Sequence, residues 1–381
     1  MAIDHSVFKT PGQFIRALLE EREWSARTLA IVLEVEESGL NRVIADKRAV
    51  TIDLALSLGE VFEVPAESFL GLQQSYELAK ARIAARPDPK RATRAQLFGG
   101  LPVAEMIKRG WIAADNIRDV AAVEKALMEF FGASSVDEIE ILPHAAKKTA
   151  VTADTTPPQL AWLHRVKQIT SEMIVAPYSP LSLRRAVERL KLLTRSAEEV
   201  RKIPRILAEA GVRFVIVESL PHAKIDGVCF WLNESAPVIG MTLRHDRIDN
   251  LWFVLRHETE HVLREHGKSV IAIDTELEGP RASVGPDITE DERVANSAAS
   301  EFCVPQKTMD GFIARKAPFF AERDILGLAA TLNVHPGLVA GQLQNRTGRH
   351  DLFRSHLVKV RSLIAPSAVV DGWGDVAPVG S

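Results

Sequence analysis

Two cysteines in 381 residues, Cys229 and Cys303, cannot build a disulfide framework, and no C-x-x-C pair is present to hold a thiolate metal site. Both read as small buried hydrophobes, and the expected compartment is a reducing cytoplasm. No apolar run reaches the length needed to cross a membrane, and the opening residues do not read as a signal peptide, so no membrane partner is expected. Charge of one sign is also lacking. The formal net charge of −3 names no partner by global electrostatics. Internal repeats and low-complexity tracts are absent, and the composition is that of an ordinary globular protein, long enough for two or three domains.

Against this background the sequence His257-Glu258-Thr259-Glu260-His261 stands out. Two histidines four residues apart project from one side of a helix and can reach a single metal ion. The glutamate after the first histidine sits beside that side, placed to take a proton from a water at the metal. Residues 247–263 support a helix here. Asp246 or Asp249 is the expected N-cap, Ile248, Leu251, Trp252 and Leu255 make an apolar stripe continued by Val262 and Leu263, and Gly267 is the expected stop. The pattern points to zinc-dependent peptide hydrolysis.

A catalytic zinc site uses three protein ligands and keeps a position open, so a third ligand is required. Glu292 is the candidate, with Asp291 as its competitor. It opens a second expected helix, capped by Thr289 and ended by Pro305, with Ala295, Ala298, Ala299 and Phe302 along its apolar side. Asn296 lies one turn after Glu292, where it can hydrogen-bond a ligand histidine or the Glu292 carboxylate. His266, five residues past His261, is expected to point well away from the ligand side. His245 and Tyr178 are candidates for stabilising an oxyanion, although nothing in the sequence places either of them.

H-E-x-x-H followed by E-x-x-A-N resembles the ImmA/IrrE family of metallo-endopeptidases, which have a gluzincin-like site. The resemblance runs from about Gly211 to Pro305 and includes alternating segments at 227–232 and 238–243, expected as strands ahead of the zinc helix, with a further strand at 214–217. It implies that His257, His261 and Glu292 bind zinc, that Glu258 is the base, and that the substrate is a regulatory protein such as a repressor. One position departs from the family: Glu260 stands where Gly or Ala is usual, and a carboxylate beside a ligand histidine is expected to crowd the site or add charge to it.

The amino-terminal residues carry a second pattern. A helix from Pro11, a second capped by Ser25, a short turn at Glu34-Val35 and a third helix from Glu36 to Ala45 have helix-turn-helix spacing. Leu29, Ala30, Leu33, Val35, Leu40, Val43 and Ile44 are the expected core, and two further helices follow. This region resembles the lambda-repressor-like (XRE-type) domain, and its continuation from Phe69 to Lys80 is similar to HigA-type antidotes of toxin–antitoxin modules. The resemblance implies double-stranded operator DNA as partner and a homodimer as the binding form. Asn41 and Arg42 on the third helix are the candidate base contacts, with Lys47 and Arg48 after it for phosphates. Charge opposes this: between Pro11 and Glu60 there are 6 Lys and Arg against 9 Asp and Glu, a net of −3 (6 − 9), and Glu34, Glu36 and Glu37 lie near the turn. The basic residues Lys80, Arg82, Arg86, Lys90, Arg91 and Arg94 can contribute phosphate contacts from the joint.

The expected fold is α+β and mostly helical: an all-α helix-turn-helix domain at 8–85, a Pro-broken linker at 86–100, a helical connecting region at 101–210 with Trp111, Phe130 and Phe131 in its core, a zincin-like (gluzincin-type) metallopeptidase domain with a small sheet at 211–365, and a flexible tail at 366–381. Residues 325–343 read as a second, degenerate helix-turn-helix, expected to serve packing. The expected function is a DNA-binding transcriptional regulator whose zinc endopeptidase domain cleaves a repressor, a toxin partner or the chain itself. The alternative is a non-catalytic antitoxin or repressor whose peptidase-like fold serves binding.

Overall fold

The computed structural model describes residues 7–85, 91–139, 155–268, 271, 273–275 and 289–373. The chain divides into two compact units, Met1–Pro89 and Lys90–Ser381. The fold is α+β and mostly helical, with a single five-stranded sheet among the described residues. None of the described helices is long and apolar enough to cross a membrane.

The first unit is all helix: α1 (Pro11–Glu21), α2 (Ala26–Val32), α3 (Glu37–Ile44), α4 (Ile52–Phe62) and α5 (Ala66–Ala84). Each of the first two and the fourth starts where a hydroxyl can accept a backbone N–H: Thr10 from Gln13, Ser25 from Thr28 and Thr51 from Leu54. Phe14, Leu29, Leu40, Val43, Leu58 and Phe69 fill the core, with the Phe14 and Phe69 rings 5.0 Å apart. Gly12 allows α1 to approach the end of α3, since a Cβ there would lie 2.3 Å from the Ile44 carbonyl oxygen. The Asp46 carboxylate ties the two helices, accepting from Thr10 Oγ1 at 2.7 Å and from Gly12 N at 2.9 Å. Val35, expected in the core, is 41% exposed, because the tight turn between α2 and α3 swings it outward. That turn is made by Glu34 at φ +53°, a left-handed conformation that an L-residue other than Gly adopts at some cost.

The second unit begins earlier than expected. Residues 91–100, read as linker, form α6 (Arg91–Gly100) with Leu97 fully buried, while 86–90 lie outside the described residues. There follow α7 (Val103–Lys108), α8 (Val120–Phe131), α9 (Pro157–Ser171), α10 (Pro180–Leu193) and α11 (Ile203–Glu209). The strands are β1 (Arg213–Val217), β2 (Ile225–Trp231), β3 (Pro237–Met241), β4 (Ile273–Thr275) and β5 (Val369–Asp371), and the sheet order is β4-β2-β3-β1-β5. β1 runs parallel to β3 and β5, whereas β2 runs antiparallel to β3 and β4. Between β3 and β4 lies α12 (Ile248–Leu263), and after β4 come α13 (Glu290–Cys303), α14 (Gln306–Lys316), α15 (Glu322–Leu332), α16 (Pro336–Thr347) and α17 (Arg361–Ile364).

Strand alternation divides the core into two layers. Phe214 and Ile216 of β1, with Cys229, Ile239 and Met241, face α10–α16, while Val215, Val217, Val228, Phe230 and Val238 face α6–α9. Residues 101–210 are therefore not a separate connecting region: α7–α9 cover one side of the sheet and α10 and α11 the other. Nor are residues 366–373 a free tail. β5 pairs with β1, and buried Asp371 forms an ion pair with buried Arg165 of α9; residues 374–381 lie outside the described residues. In the carboxy-terminal helix-turn-helix pattern, α16 is buried along Leu338, Val339, Ala340 and Leu343 and packs on α12.

Candidate metal centre and helix-turn-helix

α12 carries the H-E-x-x-H residues and packs most closely against α13 and β2. Its start differs from expectation. Neither aspartate caps it. Arg247 is the N-cap residue, Asp249 pairs with Arg247 (Nε to Oδ1, 3.1 Å), and Asp246 accepts from the backbone N–H groups of Val360 and Arg361 at the start of α17. α13 is fixed at its first turn by the Thr289 hydroxyl, which accepts from Glu292 N at 3.2 Å, so the cap positions the backbone of Glu292. Ala295 and Ala299 are buried, which lets α13 lie close along α12.

The result is a group of four donors, His257, His261, Asp274 and Glu292, whose ligand atoms all lie within 4.8 Å of one another. His257 Nε2 is 3.0 Å from His261 Nε2, 3.3 Å from Glu292 Oε2 and 3.5 Å from Asp274 Oδ2, and His261 Nε2 is 3.4 Å from Glu292 Oε1. The outer nitrogens are held too. His257 Nδ1 lies 3.0 Å from Asn296 Oδ1, and an N–H there donates to the amide oxygen, leaving the Nε2 lone pair facing the group. His261 Nδ1 lies 2.9 Å from His266 Nδ1, and His266 Nε2 is 3.3 Å from Asp291 Oδ1. His266 was expected to point away; instead the turn after α12 folds it back onto His261. Asp291, the competitor for the ligand role, is instead the exposed partner of His266.

Glu258 is fully buried, with its carboxyl against that of Asp274. Gly227 on β2 makes room for it, since a Cβ there would lie 2.1 Å from Glu258 Oε1. Burial, together with the Asp274 and Glu292 carboxylates, pushes the Glu258 carboxyl well above its usual range. Burial alone would lower the His257 pKa, but Asp274 and Glu292 outweigh it and raise it to about 10. Burial likewise opposes ionisation of Asp274, and the His257 imidazole reverses this and holds the carboxyl low. The imidazoles of His257 and His261 and the carboxylates of buried Asp274 and half-buried Glu292 converge on one point, and either a proton on His257 or a metal cation between them balances the carboxylate charge. Tetrahedral zinc with bonds of about 2.0–2.2 Å separates its donors by about 3.3–3.6 Å, so the nitrogen and oxygen donors present fit such an ion.

Glu260 does not crowd this group. Its carboxylate is clamped by Arg256 at 2.7 Å and Arg264 at 2.8 Å, along the flank of α12. Burial works against its charge, and the two guanidinium bonds win, holding its pKa below the usual value. Tyr178 and His245 stand outside the four donors: the Tyr178 hydroxyl donates to the Val262 carbonyl at 3.5 Å, and exposed His245 sits beside Arg244. Both cysteines are buried thiols, and burial drives Cys303 up to about 12. Asp274 was missed by sequence reading. A lone aspartate in a short strand carries no spacing signal, and only the pairing of β4 with β2 brings it here.

In the first unit Asn41, Arg42, Lys47 and Arg48 are all exposed, on α3 and the turn after it. Glu34, Glu36 and Glu37 are exposed as well. Of the other basic residues, Lys80 and Arg82 are exposed on α5, Arg94 pairs with Glu124 at 2.8 Å within the second unit, and Arg86 and Lys90 lie outside the described residues.

No family model matches the chain. The amino-terminal region is 36% identical over 72 residues to Virulence-associated protein I of Dichelobacter nodosus, covering 19% of this chain and 67% of that protein. It is 32% identical over 71 residues to the uncharacterized HTH-type transcriptional regulator YddM of Escherichia coli (strain K12), covering 19% of this chain and 76% of that protein. Among solved structures, the Pseudomonas aeruginosa antitoxin HigA with the higBA promoter is 33% identical, covers 20% of this chain and 83% of that chain, and has a TM-score of 0.19. A second solved structure, PA4674 of Pseudomonas aeruginosa in complex with its 18-base-pair operator DNA, is 32% identical with the same two coverages and a TM-score of 0.20. The amino-terminal region of the chain thus belongs to the helix-turn-helix (XRE-type) transcriptional regulators.

Proposed function

We propose that the chain is a cytoplasmic DNA-binding transcriptional regulator whose second unit is a zinc metallo-endopeptidase acting on a regulatory protein. The observation that carries the enzymatic part is Glu258: a fully buried carboxyl beside two histidines and a glutamate whose donor atoms converge. Burying a carboxyl against other carboxylates is costly, and a proton-transfer role explains its retention.

His257, His261 and Glu292 hold the metal, with Asn296 orienting His257 and His266 orienting His261. A bound zinc ion supplies Lewis acidity, polarising a peptide carbonyl and making a water more acidic. Glu258 takes the proton from the attacking water and passes it to the leaving amine. Burial and the neighbouring Asp274 and Glu292 carboxylates raise its affinity for a proton. The ImmA/IrrE resemblance and the four-donor cluster support this reading.

In the first unit, α3 enters the major groove of operator DNA, with Asn41 and Arg42 at base edges and Lys47 and Arg48 at phosphates, and a homodimer spans two half-sites. The similarity to an HTH-type transcriptional regulator supports this assignment. One observation favours a second reading, an antitoxin that binds a toxin without cutting: the carboxylate of Asp274 makes a fourth donor at the centre.

The test is incubation of the zinc-loaded protein with candidate repressor, toxin and self-derived peptides, read by mass spectrometry. Cleavage by the wild type and none by Glu258→Gln supports the peptidase. Cleavage equal in both means a contaminant, and none in either transfers the conclusion to the non-catalytic antitoxin.

A further inference from the structure

The donor count at the centre exceeds what an open catalytic site needs. Catalytic zinc sites have three protein ligands and one free position, whereas sites with four protein ligands are closed. Here Asp274 Oδ2 stands 3.5 Å from His257 Nε2, within the spread set by the other three donors, and its side chain is buried. The fold places it there for a definite reason. Asp274 pairs with Gly227 across the β4–β2 ladder, and directly paired residues point to the same side of a sheet. Gly227 is the residue over which Glu258 of α12 is packed. The Asp274 side chain is therefore delivered to the H-E-x-x-H face of α12. A register irregularity between Ile225 and Gly227 sets this alignment.

Charge points the same way. Two neutral imidazoles with the Glu292 and Asp274 carboxylates give a donor set of charge −2, which balances a divalent cation in a buried setting. Glu258, fully buried, lines the same space without belonging to the four donors.

Building on the metal-centre reading, we propose that Asp274 is a fourth protein ligand of the metal, filling the position that hydrolysis needs open, so that the resting centre is closed and peptide cleavage requires the Asp274 carboxylate to withdraw. β4 is suited to this. It is a three-residue strand that, among the described residues, lies at the edge of the sheet and pairs with β2 alone, and short edge strands open at low cost. The regulator would then be latent until something draws β4 away, and the two readings of function become two states of one centre.

The experiment uses full-length protein loaded with cobalt(II), whose visible spectrum reports coordination, and with zinc for affinity by competition against a chelator. Acetohydroxamate, which needs a free coordination position, is the probe. The wild type should take up one equivalent of metal and show no spectral change with acetohydroxamate, while Asp274→Ala should bind zinc at least about tenfold more weakly and respond to the probe. Asp274→Asn, which keeps the side-chain shape, should respond as well and serves if Asp274→Ala does not fold. A metal-loaded wild type whose spectrum, affinity and response match those of the Asp274 variants overturns this inference alone. A wild type that takes up no metal overturns the metal centre and this inference together.

Discussion

The two units place their functional residues in opposite ways. In the first, Asn41, Arg42, Lys47 and Arg48 are exposed and their surroundings demand nothing of them. In the second, His257, Glu258 and Asp274 are buried; His257 and Asp274 offset each other's desolvation, while that of Glu258 is reinforced by the carboxylates around it. A surface site for a polyanion is read from pattern and kinship, because solvated cations look alike whatever they bind. A buried site is read from its unpaid desolvation: a cluster of carboxylates and imidazoles must have a cation, a proton or a role. That asymmetry explains why similarity to known regulators informs the first unit and geometry informs the second.

The sharpest way to separate the two is to empty the centre. His257→Ala or His261→Ala should cut zinc from about one ion per chain to near zero, while Glu258→Gln keeps it, as atomic emission on the purified proteins would report. Operator binding by the same proteins should stay unchanged in fluorescence anisotropy. If the histidine variants retain zinc, the centre is elsewhere.

Next in size is the ion pair between Arg165 and Asp371, both buried. Asp371→Ala removes the buried carboxylate that pairs with the Arg165 guanidinium and should cost the second unit about 3–5 kcal/mol. Denaturant titration should shift one transition and leave that of the first unit in place. Equal shifts in both transitions would mean that the units do not unfold separately.

A smaller effect is expected at α3. Arg42→Ala should remove about 1–3 kcal/mol of discrimination at one base position. Lys47→Ala with Arg48→Ala should weaken all sequences alike and lower the salt slope by about one per residue. Binding curves at several salt concentrations, on promoter and on scrambled DNA, distinguish these. Loss of discrimination in the lysine–arginine double variant would reverse the assignment.

The smallest concerns Glu260. Because its charge is held by Arg256 and Arg264, Glu260→Gln should leave zinc uptake intact and cost less than about 1 kcal/mol. A large change in metal affinity would restore Glu260 to the centre.

Much of this was legible in the sequence because it depends on local periodicity. Residues 257–261 put two histidines on one helical side by spacing alone, Thr289 announced the start of α13, and Ser25 and Thr51 announced helices in the first unit. Residues 91–100 were misjudged because the prolines at 87 and 89 signal a break but say nothing of where the next helix begins. Glu260 was misjudged because proximity along a helix does not say which neighbour claims a carboxylate, and Arg256 and Arg264, one turn away on either side, do.

What the sequence alone determined is therefore the helices of the first unit with their helix-turn-helix spacing, the two helices α12 and α13, and the pairing of His257 with His261, since these follow from a 3.6-residue period and from caps that act within four residues. The tertiary structure decided which distant groups meet: His266 against His261, Asp371 under Arg165, and Asp274 beside His257. Those contacts depend on a turn geometry and on strand registers, and a register shift of one residue would send each strand side chain to the other side of the sheet. No local pattern encodes that choice; it is made by the packing of both faces of the sheet at once.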